Sequence, residues 1–301
     1  RVTSIVPADY DDDGDLDLLA ASTQGAGTLL VNEGGGFTEA PLPFDVSAIN
    51  VRELALGDAD GDGDLDVYVA SSGGRADPLF LNDGGGHFQN ATDRLPTTGD
   101  DGLGWMGLWL DVDDDGDADL YTVNADQATV APSRLLLNDG TGHFSDVSGS
   151  CDCAQQGSPM GASVVDLDGD RLPDLLFTNS GPSVLYQNAG GATFVEVGQA
   201  LGASVWPAEG TMSFGSSVFD AENDGYPDAL LSFGPLKDGP GGAQPDEQPD
   251  LFLKGGANGF TEVGASLGLD DIGAGRAVLT GLINGDGTPD LVVVNLGTDS
   301  H

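Results

Sequence analysis

The chain has 301 residues and carries 50 Asp+Glu against 9 Lys+Arg, a formal net charge of −41. A surface this acidic repels nucleic acid and anionic membranes, and no apolar run approaches the roughly 18 residues needed to cross a bilayer as a helix; neither nucleic-acid binding nor membrane insertion is expected. At 39% hydrophobic, with 48 Gly and 16 Pro, the composition excludes disorder and points to many short strands joined by tight turns.

The first strand-like run, VTSIVPAD (2–9), leads into an acidic loop, DYDDDGDLD (9–17), and out through LDLLAAS (16–22). TLLVNEGGGFTEA (28–40) then reads as apolar strand, Gly-rich turn, Phe and short strand. The same order returns with loops DADGDGDLD (58–66), DVDDDGDAD (111–119), DLDGDRLPD (166–174) and DAENDGYPD (220–228). Their second signatures are PLFLNDGGGHFQNAT (78–92), RLLLNDGTGHFSDV (134–147), SVLYQNAGGATFVEV (183–197) and DLFLKGGANGFTEV (250–263). A weaker loop, LINGDGTPD (282–290), leads into one further apolar run. The Gly clusters supply the positive φ that tight hairpins need. Phe37, Phe88, Phe144, Phe194 and Phe260 recur once per unit and are expected to pack between neighbouring units.

The units run 1–50, 51–103, 104–157, 158–211 and 212–272, with a partial sixth at 273–301. Four short strands in about 50 residues match a propeller blade. A parallel β-helix uses shorter rungs, and one four-stranded unit alone buries no core. The expectation is an all-β chain: a single β-propeller domain over 1–301, of about six or seven four-stranded blades with calcium-binding hairpin loops, incomplete at its termini.

Several Asp residues within a few ångströms repel one another unless a cation lies among them. Ca²⁺ takes about six to eight oxygens, and Asp-x-Asp-x-Asp-Gly is a way for a loop to wrap it. In the first loop the candidate ligands are the side chains of Asp9, Asp11, Asp13 and Asp17 and the carbonyl of Asp15, with Asp12 turned to solvent. The equivalent sets are Asp58, Asp60, Asp62, Asp64 and Asp66, then Asp111, Asp113, Asp115, Asp117 and Asp119. The fourth set is Asp166, Asp168, Asp170, Leu172 and Asp174, and the fifth is Asp220, Glu222, Asp224, Tyr226 and Asp228. The sixth loop retains Asn284, Asp286, Thr288 and Asp290, with Leu282 at its first position. About five Ca²⁺ sites are expected, the sixth loop being the poorest match. Arg171 stands where the other loops have Gly, and is expected to weaken binding or change the turn. An EF-hand needs Glu at its twelfth position and a following helix; Ala20 and Val69 stand there, and strands follow. The ninth-position Asp is therefore assigned to close the shell. Mg²⁺ fits less well, and Zn²⁺ lacks His and Cys near the loops. Plain Asp-Gly hairpin turns explain one such loop but not four spaced carboxylates recurring in five.

These loops, with ALGDADGDGDLDVYVASS ahead of PLFLNDGGGHFQNAT, resemble the FG-GAP/VCBS repeats of integrin α-chain propellers and of many secreted bacterial proteins. The N-D-G-x-G-x-F run is most similar to the cartilage-acidic-protein-like subgroup. The resemblance implies a β-propeller, calcium at the blade loops, and a secreted or cell-surface role in adhesion or ligand binding.

The remaining features point away from catalysis. His87 and His143 share one repeat position, which suits a turn role, and no Gly-x-Ser-x-Gly elbow or P-loop is present. Trp105 and Trp109 are expected to pack in the core, and Trp206 to be the more exposed contact. The stretch 237–250 is expected to be an exposed loop. Cys151 and Cys153 either bridge into a very small ring or stay as two thiols. The chain is expected to be a non-enzymatic extracellular module binding a protein or glycan. A carbohydrate-active enzyme, its accessory domain, or a structural spacer are the alternatives.

Overall fold

The computed structural model describes residues 2–24, 27–72, 76–96, 104–124, 132–154, 158–207, 211–234, 248–270 and 272–296. The insert expected at 237–250 lies outside these except for its last three residues. The chain divides into two units, Arg1–Gln156 and Gly157–His301.

The first unit holds three antiparallel sheets, each a blade of four sequential strands. Blade 1 is β1 (Val2–Ala8), β2 (Asp17–Ser22), β3 (Gly27–Asn32) and β4 (Phe37–Pro41). Blade 2 is β5 (Asn50–Gly57), β6 (Asp66–Ser72), β7 (Leu79–Asn82) and β8 (Phe88–Asn90). Blade 3 is β9 (Gly104–Leu110), β10 (Asp119–Asn124), β11 (Arg134–Asn138) and β12 (Phe144–Asp146). The second unit continues the pattern. Blade 4 is β13 (Pro159–Val165), β14 (Asp174–Asn179), β15 (Gly181–Asn188) and β16 (Phe194–Glu196). Blade 5 is β17 (Ser213–Phe219), β18 (Asp228–Phe233), β19 (Leu251–Lys254) and β20 (Thr261–Glu262). The sixth sheet pairs only β21 (Gly275–Gly281) and β22 (Asp290–Asn295) among the described residues. Among the described residues, helix is confined to single turns such as α1 (Gly198–Leu201) and α2 (Gly264–Leu267). The fold is thus all-β and of β-propeller type.

Burial explains which residues make which strand. The second strand of a blade is covered on both faces, so β10, β14 and β18 are buried at every position and read as runs of Leu, Tyr, Phe and Val rather than as alternation. First strands such as β13 and β17 are only partly covered. The cores lie between consecutive blades. Leu19, Leu29, Val51, Leu54, Val67 and Phe80 join blades 1 and 2, and Tyr68, Leu79, Leu120, Leu136 and Phe144 join blades 2 and 3. Leu176, Leu185, Leu231 and Leu253 do the same for blades 4 and 5. Phe88 packs edge-on against Phe44, with ring centroids 5.2 Å apart, and Phe144 lies 6.0 Å from Trp109. Phe37 departs from the expected packing and is 55% exposed. Trp109 packs so closely that a Cβ on Gly57 would lie 2.4 Å from its ring.

Cys151 and Cys153 form a buried disulfide, and the Tyr121 hydroxyl donates to the Cys153 carbonyl at 2.6 Å. Trp105 carries the Arg52 guanidinium over its ring, 5.0 Å from the centroid. Trp206 is 38% exposed, with Nε1 donating to the Thr211 carbonyl.

Candidate metal centres

Each acidic loop connects the first strand of its blade to the second. The residue before the loop pairs with the ninth-position Asp: Ala8 with Asp17, Gly57 with Asp66, Leu110 with Asp119, Val165 with Asp174, Phe219 with Asp228 and Gly281 with Asp290. All six loops turn the same way. The fourth position has positive φ in every case (Asp12, Gly61, Asp114, Gly169, Asn223 and Gly285), and so does the sixth (Gly14, Gly63, Gly116, Arg171, Gly225 and Gly287). This explains why only Asp, Asn or Gly stands fourth, since these residues tolerate left-handed backbone best. Arg171 does not change the turn: it adopts φ 75° where Gly14 has φ 92°.

Within the turn the carboxylates have separate tasks. The first Asp caps the loop's own amides: Asp9 accepts from the N–H groups of Asp13 (3.0 Å) and Gly14 (2.9 Å). Asp58, Asp111, Asp166 and Asp220 likewise accept from two loop amides each. The fifth residue accepts from the seventh amide, as Asp13 does from Asp15, Asp62 from Asp64, Asp115 from Asp117, Asp170 from Leu172, Asp224 from Tyr226 and Asp286 from Thr288.

The ninth Asp staples the blade. Asp66 is fully buried and accepts from Ala59 N–H and Asn82 N–H, both at 2.7 Å, which ties the loop to the end of β7. Asp119 does so with Val112 and Asn138, Asp174 with Leu167 and Asn188, and Asp228 with Ala221 and Gly255. Burial pushes Asp66 up to about 7 and Asp119 and Asp174 up to about 6, against the pull of these amides. The sequence pattern assigns this residue to ligation alone; its second partner lies on another strand and has no local signature. The Asn that recurs in the second signature was also missed as a structural element. Asn138 Nδ2 donates to the carbonyls of Ala59 (2.8 Å) and Ala118 (2.9 Å), and Asn82 Nδ2 donates to the Tyr10 carbonyl (3.1 Å), so each fastens its blade to the preceding acidic loop.

In the first three loops the third residue is left over, and in the first loop so is Asp17 Oδ2. Asp11, Asp60 and Asp113 each bury an Oδ1 that no hydrogen bond satisfies. Burial first, and then the neighbouring carboxylates, raise the pKa of all three. Asp60 is relieved only at its other oxygen, by the Arg94 guanidinium 3.9 Å away. In these loops ligand oxygens of the first, third and fifth residues lie within 4.8 Å of one another: Asp9, Asp11 and Asp13; Asp58, Asp60 and Asp62; Asp111, Asp113 and Asp115. In the fourth loop the converging set is Asp166, Asp168 and Asp174. A buried carboxylate oxygen without a partner costs stability unless a cation meets it. The donors are all oxygens, the chemistry of a hard cation such as Ca²⁺ rather than Zn²⁺. The first three loops therefore fit such an ion. In the fifth and sixth loops, described throughout, no three acidic groups converge in this way.

The two histidines sit in hairpin turns. His87 and His143 donate their backbone amides to Asp83 and Asp139, and His87 Nδ1 lies 3.3 Å from Asp83.

A family model described as FG-GAP-like repeat matches residues 9–69, 58–122, 111–177 and 166–231. Each span begins on one acidic loop and ends in the second strand of the next blade. No curated protein matches the sequence. Among solved structures, an Agrocybe aegerita lectin that recognises non-reducing terminal N-acetylglucosamine is similar with a TM-score of 0.60 and 19% identity, over 96% of this chain and 73% of the lectin. An exotype rhamnogalacturonan lyase is similar with a TM-score of 0.50 and 12% identity, over 99% of this chain but only 54% of the lyase.

Proposed function

This chain belongs to the FG-GAP-like repeat family, and from that premise we propose that it is an extracellular, calcium-stabilised β-propeller module that binds a glycan. The observation that carries the calcium part is the unsatisfied Oδ1 of Asp11, Asp60 and Asp113, orphaned at one and the same loop position in three blades. A bound Ca²⁺ would supply the positive charge that these oxygens lack. Asp9, Asp58 and Asp111 hold the loop amides so that the third and fifth carboxylates face inward. The seventh carbonyls, of Asp15, Asp64 and Asp117, complete the oxygen set, and Asp66 and Asp119 hold their loops against the sheet. An extracellular setting suits both the buried disulfide and ion loops of this kind, which fill where calcium is plentiful.

The glycan part rests on a cleft in the second unit. About 360 Å³ in volume, it lies between blades 4 and 5 and is lined by Asp168, Gln187, Leu201, Tyr226, Gly256 and Phe260 among others. Tyr226 is 41% exposed, and Gln187 Nε2 donates to Asp168 Oδ2 at 2.6 Å. An aromatic surface beside a carboxylate–amide pair suits a neutral sugar ring: its C–H face lies on the aromatic while its hydroxyls bridge the polar pair. The strongly acidic surface disfavours anionic sugars. The lectin similarity supports the same class of ligand. A glycan array probed in millimolar calcium tests this, with Tyr226→Ala as the control. Binding of neutral glycans that the variant loses is the expected result. An array without ligands for the calcium-loaded protein would remove the glycan reading. Release of unsaturated or reducing ends from a polysaccharide would make the chain an enzyme instead.

A further inference from the structure

The acidic loops meet one charge problem in two ways, and in blades 1–5 the choice follows a single register position. At or just past the end of the third strand of those blades, one residue donates its amide to the ninth-position Asp: Asn32, Asn82, Asn138, Asn188 and Gly255. The residue before it is Val31, Leu81, Leu137, Gln187 and Lys254, in blade order. Where that residue is apolar, the third-position carboxylate keeps a buried oxygen with no partner, in Asp11, Asp60 and Asp113. Where it is Gln187, the side-chain amide donates to Asp168. Where it is Lys254, the ammonium closes directly on Glu222. Glu222 is the one Glu at this position, and its longer side chain meets the Lys254 ammonium on β19. The sixth loop uses its own third residue: Asn284 Nδ2 donates to Asp286 Oδ2 (3.0 Å) and Asp290 Oδ1 (3.1 Å). Arg94 does not do this for the second loop. It sits 3.9 Å from Asp60 Oδ2, makes its shorter bond to the Thr141 carbonyl at 2.8 Å, and leaves Asp60 Oδ1 unmet.

We propose that Lys254 and Asn284 are built-in counter-groups, so that the fifth and sixth loops close without a metal ion. On this inference, which rests on the calcium reading above, the first three loops take Ca²⁺. The fourth, still bringing Asp166, Asp168 and Asp174 together while Gln187 holds Asp168, takes it more weakly. A tethered ammonium or amide cannot be chelated or diluted away, whereas a bound ion leaves when its free concentration falls. Calcium dependence is therefore concentrated in the Arg1–Gln156 unit, where all three loops lack a counter-group.

Equilibrium dialysis of the full chain against Ca²⁺, with metal counted by mass spectrometry, tests the proposal. Three tightly held ions are expected, with a fourth at higher concentration. Five or six equivalent ions would overturn the inference and leave the calcium reading intact, whereas none would overturn both. The double variant Lys254→Leu, Glu222→Asp restores the residue types of the first three blades and is expected to add one ion; a folded variant with an unchanged count contradicts the proposal. Hydrogen exchange of the native chain supplies a readout that needs no variant. EDTA is expected to accelerate exchange in 9–17, 58–66 and 111–119 and to leave 220–228 and 282–290 unchanged. Equal acceleration in all of these loops would overturn the assignment.

Discussion

Replacing Asp113 by Asn removes one charge from a cluster of three and should act oppositely on the metal-free and calcium-loaded protein. Ligand oxygens of Asp111, Asp113 and Asp115 lie within 4.8 Å of one another. Two unit charges at that distance repel by about 0.9 kcal/mol in water-like surroundings and by about 3.5 kcal/mol at an effective dielectric near 20. Asp113 takes part in two such pairs in a partly exposed loop, so its neutralisation should relieve about 2 kcal/mol at low salt. The sixth loop shows that the substitution is structurally natural, since Asn284 already stands at that position and donates to both neighbouring carboxylates. In EDTA the Asp113→Asn protein should therefore be more stable than the native one by about 2 kcal/mol. The stabilisation gained on adding calcium should shrink by at least the same amount, because the ion no longer relieves that repulsion and loses one oxygen ligand. Urea unfolding in EDTA and in millimolar calcium, at low salt, measures both. A variant no more stable in EDTA, with an unchanged calcium increment, would refute the reasoning.

Arg171→Gly relieves a left-handed residue that costs about 1–2 kcal/mol but adds unfolded-chain entropy of about 0.5–1 kcal/mol, so a net gain of about 0.5–1 kcal/mol is expected in calcium by urea unfolding. Asn138→Ala leaves the buried Ala59 carbonyl and the part-buried Ala118 carbonyl without their donor and should cost about 2–4 kcal/mol, while Asn32→Ala, whose side chain makes two longer, exposed bonds, to the Leu16 carbonyl and from the Gly34 N–H, should cost about 1 kcal/mol. Burial lifts Glu53 from an ordinary value of 4.5 to about 7, against the pull of Gly107 N–H at 2.9 Å. The folded value is the higher one, so this stabilising contribution is complete below about pH 4.5 and lost as pH rises through 7. The difference of about 2.5 units corresponds to about 3 kcal/mol. Glu53→Gln cannot ionise, so its stability relative to the native protein should rise by up to that amount between pH 4.5 and 8; parallel pH curves would contradict this.

What could be read from the sequence was local. A Gly, Asp or Asn at every left-handed loop position but Arg171, Asp residues spaced by two, and short apolar runs between them placed all six loops. The ninth-position Asp was found but given only part of its task, because its second amide belongs to a strand about 15 residues further on. Gln187 and Lys254 stayed invisible for the same reason: a side chain's reach to another hairpin's carboxylate depends on register across β15 and β19, not on any motif. Phe37 looked like its four counterparts, yet it is the one left exposed. Arg171 looked like a broken turn, yet the surrounding hydrogen bonds hold it in the shape that glycine takes elsewhere.

The central claim is that the crowded carboxylates of the first three loops are metal sites. Thermal unfolding in excess EDTA, in millimolar Ca²⁺ and in millimolar Mg²⁺ tests it most directly. At a calcium concentration 100 times the dissociation constant each site adds about 2.7 kcal/mol, so three sites should raise the melting temperature by on the order of 10 °C or more, with Mg²⁺ giving much less. The same melting temperature in EDTA and in calcium would mean that the loops are acidic turns that bind no ion.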